Sequence, residues 1–163
     1  MDPAIWARLE ARPLRLPSIA TGAPCPVSSS AVIAGSATAA ASGDGPLFAV
    51  TGGDAIGLGT AGTDGLRGGK ILWIARPDYK GIALIRAARL DGSSDILFSA
   101  GKKALQFELD THTGAGDATS GSALGWRYLP STVYLAGAGC YGFQIDMPDG
   151  TSFVTLAAKV QIP

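Results

Sequence analysis

The 163-residue sequence contains no asparagine, one histidine (His112), two cysteines (Cys25 and Cys140), and a charged fraction of 16 % that cancels to a formal net charge of +0. Each shortage excludes something. Without asparagine there is no N-glycosylation sequon and no Asn-Gly hairpin turn. Thirteen Lys and Arg against thirteen Asp and Glu give little long-range steering of a charged partner. This balance argues against nucleic acid as the main ligand, because phosphate binding needs clustered basic residues. No run approaches the roughly 18 apolar residues that a bilayer span requires. The opening residues do not read as a signal peptide, since Arg8, Glu10, Arg12 and Arg15 interrupt them before an apolar run develops. The expectation is therefore a cytosolic chain, or a mature form whose Met1 is not the native start.

A zinc site needs about four ligands, and two distant cysteines with one histidine do not supply them. No metal or other cofactor is expected. Cys25 and Cys140 leave two readings, a pair of buried thiols or one disulfide. A disulfide would close a loop of about 115 residues, stabilising the fold by on the order of 4–5 kcal/mol in the chain-entropy model. It would also imply an oxidising, extracytoplasmic compartment.

What the chain does have is 23 glycines and 10 prolines, which favour turns and short strands over long helices. Asp44-Gly45, Asp64-Gly65, Asp91-Gly92 and Asp149-Gly150 supply hairpin turns. Asp2-Pro3 can start a helix, and Ile5, Trp6 and Leu9 follow at helical spacing. Pro13 and Pro17 stop anything longer. One or two helical turns are expected, then an extended arm to residue 27. Residues 28–45, rich in Ser, Ala and Gly, read as a loop crossing the surface with at most a short edge strand at Ala31–Ile33. Beyond them the pattern predicts strands at Leu47–Val50, Lys70–Ala75, Ile82–Leu90, Ile96–Phe98, Leu105–Leu109, Thr132–Leu135, Gly139–Asp146 and Ser152–Ile162. Gly52–Gly69, with eight glycines, reads as a long loop holding at most a weak strand at Ile56 and Leu58. Loops of that length are uncommon and are functional or disordered. The closing hairpin around Cys140 and Tyr141, turning at Pro148-Asp149-Gly150, completes an all-β, immunoglobulin-like antiparallel sandwich over residues 28–163, preceded by an arm over residues 1–27.

No motif carries catalysis. Gly65-Leu66-Arg67-Gly68-Gly69-Lys70 fails as a phosphate loop, because Ile71 stands where Ser or Thr must hold magnesium and a strand follows instead of a helix. His112 lies near Ser120 and Ser122, but no Gly-x-Ser-x-Gly elbow orients a nucleophile against it. The aspartates of 91–95 and 110–117 are too few for a calcium shell and more naturally cap their own turns. Trp126, Arg127 and Tyr128, at a loop–strand junction, form a platform that could stack on a sugar ring or a partner, or else plug the end of the sandwich. Trp6 and Leu9 either dock another subunit or fold back on their own domain.

Ala23-Pro24-Cys25-Pro26-Val27, Lys70-Ile71-Leu72-Trp73 with Pro77-x-Tyr79-x-Gly81, Gly125-Trp126-Arg127-Tyr128-Leu129-Pro130-Ser131 and Gly139-Cys140-Tyr141-Gly142-Phe143-Gln144-Ile145-Asp146 resemble segments of a group of uncharacterised secreted or lipid-anchored bacterial proteins. The resemblance spans most of residues 14–155 and has no activity to carry over. It implies an exported sandwich, the Cys25–Cys140 pairing, and a leader or lipid anchor lost from this chain. The expectation is a non-catalytic domain of the periplasm or cell surface. Such a domain would bind protein partners in a cell-envelope assembly through Trp6, Leu9, Trp126, Arg127 and Tyr128, with no nucleic acid ligand, no transmembrane segment, and any membrane association made through a partner or a lost lipid anchor. The alternatives are a carbohydrate-binding module using the exposed aromatics and a hydrolase using His112.

Overall fold

Asp2 caps the helix that the sequence predicts. Its carboxylate accepts from Ala4 N at 2.9 Å, and Pro3 occupies the first helical position, where a missing N–H is harmless. The computed structural model describes residues 2–108, 116–117 and 124–161. Helix α1 (Pro3–Glu10) is followed by the extended arm. Twelve described strands follow: β1 (Ser30–Val32), β2 (Ala40–Ser42), β3 (Leu47–Val50), β4 (Ile56–Ala61), β5 (Arg67–Ala75), β6 (Ile82–Arg89), β7 (Leu97–Phe98), β8 (Ala104–Glu108), β9 (Gly116–Asp117), β10 (Arg127–Leu135), β11 (Gly139–Met147) and β12 (Gly150–Val160).

One layer runs β8-β6-β11-β12, antiparallel throughout. In the other, β5 is flanked by β10 along its whole length and by β3 and β4 on its opposite edge. Strand β4 joins the layers, because it pairs antiparallel with β5 and parallel with β12. The fold is an all-β sandwich whose strands form one hydrogen-bonded network, with a short N-terminal helix and an extended arm.

Alternation along the strands sets the core. Ile71, Trp73 and Ala75 of β5 face Tyr141, Phe143 and Ile145 of β11 across the sandwich. Trp73 and Phe143 meet edge to face, with centroids 5.6 Å apart. The Trp73 indole donates to Ser131 Oγ at 3.1 Å, so its buried N–H is satisfied. The strands look continuously apolar in sequence because their outer faces are covered as well. Ile82 and Leu84 of β6 pack under Ile5, Trp6 and Leu9 of α1. Ile74, Phe48 and Val50 pack under Ala41 and Trp126. The arm crosses the outer face of β11, where Leu16 lies so close to Gly142 that a Cβ there would meet it at 3.0 Å.

Two expectations are corrected. Gly52–Gly69 is not a long loop, since Ile56–Ala61 and the start of β5 form a hairpin around Asp64-Gly65. Poor strand propensity is overridden by pairing on both edges of β4 and by burial of Ile56 and Leu58. A Cβ on Gly69 would stand 2.4 Å from Ile56 Cγ2, so glycine at that position admits the packing. Strand β10 begins at Arg127, before Pro130, and not at Thr132. Pro130 falls between the two short partners β9 and β7, where that edge of β10 has no described neighbour to lose a hydrogen bond to.

Candidate functional site

The sequence-derived site residues are scattered by the fold. Cys25 and Cys140 are joined in a disulfide with Cα atoms 5.3 Å apart. This pins the arm to β11, and the Leu90 amide donating to Cys140 O and the Ile19 amide donating to Leu90 O hold the same region. Leu9 is 1 % exposed and Trp6 half-buried against β6, so the helix docks on its own domain.

An exposed platform at Trp126–Arg127–Tyr128 is not built. Trp126 is 8 % exposed, tilted against Phe48 at 6.1 Å between centroids, and pressed on Gly35, where a Cβ would meet its ring at 2.2 Å. Arg127 is buried and donates to the Tyr79 carbonyl at 2.7 Å. Tyr128 is half-buried in the same cluster as Trp126. The alternation of β10 sends Arg127 to one face and Trp126 and Tyr128 under the covering loop on the other. The local sequence does not reveal that cover. His112, Ser120 and Ser122 lie outside the described residues. Among the described residues no three His, Cys, Asp or Glu side chains gather as a metal site requires.

The fold does assemble a polar centre that sequence reasoning missed. Asp146, outward on β11 and fully buried, lies 2.5 Å from Arg86 Nη2. It also accepts from Thr151 Oγ1 at 2.8 Å and from Gln144 Nε2 at 3.1 and 3.0 Å. Gln144, itself buried, donates to Pro13 O at 3.0 Å and accepts from Arg15 N at 2.7 Å. Arg12 approaches Asp146 at 3.8 Å and donates to the carbonyls of Met147 and Gly150 at 2.7 and 2.9 Å. Both oxygens of Asp146 are filled, although two guanidiniums share this one carboxylate and Arg86 Nε is buried with no hydrogen-bond partner among the described residues. The group works as a clasp between arm and hairpin. The one local signal is that Gln144 and Asp146 are the polar outward positions of an otherwise apolar strand; their partners are not local.

A cleft of about 520 Å³ opens beside this clasp, lined by Arg12, Arg15, Gln144, Asp149, Thr151 and Phe153 among others. A neighbouring hollow of about 170 Å³ shares Arg12 and Pro148 with it and adds Ile5, Arg8 and Leu9. A separate cleft of about 630 Å³ lies over β4, walled by glycines 52, 53, 57, 59 and 68, with Lys70, Lys159 and Asp54 at its rim. There Lys159 Nζ binds Asp54 at 2.6 Å, holding that carboxyl below its usual range by the hydrogen bond first and the charge second.

At the far end of β11, Arg89 donates to Asp91 at 2.8 Å, and its guanidinium carbon lies 5.8 Å from the Tyr141 ring centre. Burial pushes the Asp91 carboxyl up. The Arg89 hydrogen bond and the Cys140 amide outweigh it, and the net direction is down. Burial raises the Tyr141 phenol above its usual range. Comparison with protein-family models, with curated proteins and with solved structures finds no match to this chain.

Proposed function

We propose that this chain is a non-catalytic binding domain that works outside the cytoplasm, as an accessory or structural part of a cell-envelope assembly. The observation that carries the reading is the Cys25–Cys140 disulfide. It ties the arm across 115 residues of chain, and such bonds persist in oxidising compartments. The polar centre agrees with this reading: Asp146, Gln144, Thr151 and Arg12 are engaged with one another and with backbone carbonyls, an arrangement suited to holding shape. No helix among the described residues is long and apolar enough to cross a membrane.

The test is thiol trapping in the source cells. Alkylation before lysis, followed by fractionation, is expected to recover the protein in the envelope or external fraction with both cysteines protected until reduction. Recovery in the cytosol with two reactive thiols would overturn the export reading.

A further inference from the structure

The arm–hairpin cleft has a chemistry that the clasp beneath it does not use up. Arg8 and Arg15 are exposed, and among the described residues neither has an ion-pair or hydrogen-bond partner for its guanidinium. Arg12 lies between them along the arm and lines both adjoining hollows. The one acidic residue between Arg8 and Arg15, Glu10, turns away to Gln106 of β8 at 3.4 Å. The carboxylates lining the cleft are Asp146, already paired with Arg86, and Asp149 on the turn. In a chain of zero net charge, this is a local excess of positive charge. Beside it stand two large exposed apolar side chains. Phe153, 43 % exposed, sits opposite Gln144 in the β11–β12 register, and Leu14, 44 % exposed, lies between the two arm residues that bind Gln144.

From this juxtaposition we propose that the cleft receives an extended acidic segment of a partner protein, with carboxylates meeting Arg15 and Arg8 and an apolar side chain resting on Phe153 and Leu14. Charge complementarity selects this occupant, because guanidinium forks match carboxylates bidentately. Two adjoining hollows that share Arg12 and Pro148 in their linings suit an extended chain better than a compact ligand. The walls are held by the disulfide and the buried clasp, so little ordering is needed on binding. The proposal rests on the binding-domain reading above and names the kind of partner.

The probe is a random peptide library displayed on phage, panned against the oxidised full chain. An Arg8→Glu, Arg15→Glu double variant serves as the counter-selection, and the strongest peptide is then synthesised and measured by fluorescence anisotropy. Enrichment of peptides combining Asp or Glu with an apolar residue is expected. The expected affinity loss is about tenfold for Arg15→Glu alone, as for reversal of a rim charge, and binding should weaken as salt rises. Neither guanidinium holds the fold, so unchanged circular dichroism should accompany the loss. Enrichment that ignores the double variant, or enrichment of basic peptides, overturns the proposal. Binding of phosphatidylglycerol vesicles that the double variant abolishes, without peptide binding, also overturns it and assigns the cleft to an anionic lipid surface. If no peptide binds but a stoichiometric partner co-purifies with the native protein, the cleft assignment fails and the binding-domain reading stands.

Discussion

Arg86 reaches Asp146 at 2.5 Å beneath the N-terminal arm, on a carboxylate with no exposed surface. A buried pair of this kind is weak evidence for net stabilisation, but removing one partner leaves a charge stranded. Asp146→Ala is expected to cost about 3–5 kcal/mol in urea unfolding. It should also raise proteolysis within residues 12–24, because Gln144 loses the group that orients it toward Pro13 and Arg15. A loss no larger than that of a surface substitution would show that the clasp does not hold the arm.

The disulfide acts on the same arm from its other end. The Cys25→Ser, Cys140→Ser double variant, or the reduced protein, is expected to be less stable by roughly 4–5 kcal/mol on the loop-entropy model. The shift in denaturation midpoint with and without reductant measures this. Combined with Asp146→Ala, the loss should be non-additive, since both substitutions free one segment.

Trp126 plugs one end of the outer layer. Trp126→Ala is expected to destabilise by about 3–5 kcal/mol, as for other buried aromatics. Gly35→Ala should cost about 1–3 kcal/mol by overpacking, because its Cβ would enter the Trp126 ring. Thermal unfolding of the two variants checks both. Neutral outcomes would place Trp126 on the surface.

The Arg89 cluster sets pH limits at both ends. The native Asp91 pKa is lowered, so its contribution is present above the ordinary carboxylate range and is lost as pH falls through the native value. The native Tyr141 pKa is raised, so its contribution is full below the ordinary phenol range and is lost as pH rises through the native value. Asp91→Asn should flatten the acid limb of the stability profile and Tyr141→Phe the alkaline limb. Tyr141→Phe should also lose about 1 kcal/mol at neutral pH with the hydrogen bond to Gly137 O. Limbs unchanged in the variants would contradict the assignment.

The sequence made the sandwich legible where periodicity and turn chemistry are local. Pro3 at the helix start, the alternation of Leu105–Glu108 and the Asp149-Gly150 turn all read directly. Both-sided burial did not. Lys70–Ala75 and Ile82–Ile85 announce themselves as apolar, but nothing in them says that a helix, an arm and a loop cover their outer faces. Trp126 looked available for the same reason, since its cover comes from residues about ninety positions earlier in the chain. The polar centre was hidden in a related way. Gln144 and Asp146 acquire partners only when the arm at Arg12–Arg15, the turn at Thr151 and strand β6 at Arg86 are brought onto one face. Gly57 and Gly59 looked like loop residues because intrinsic propensity does not register the two strands that pair with β4.

The most direct test of the account is purification of the untagged protein from the envelope fraction of its source under non-reducing conditions, with mass spectrometry of whatever accompanies it. A stoichiometric partner bearing an acidic, apolar-flanked segment, with the Cys25–Cys140 bond intact, is the predicted result. A lone protomer that turns over a chemical substrate at a steady rate would contradict it.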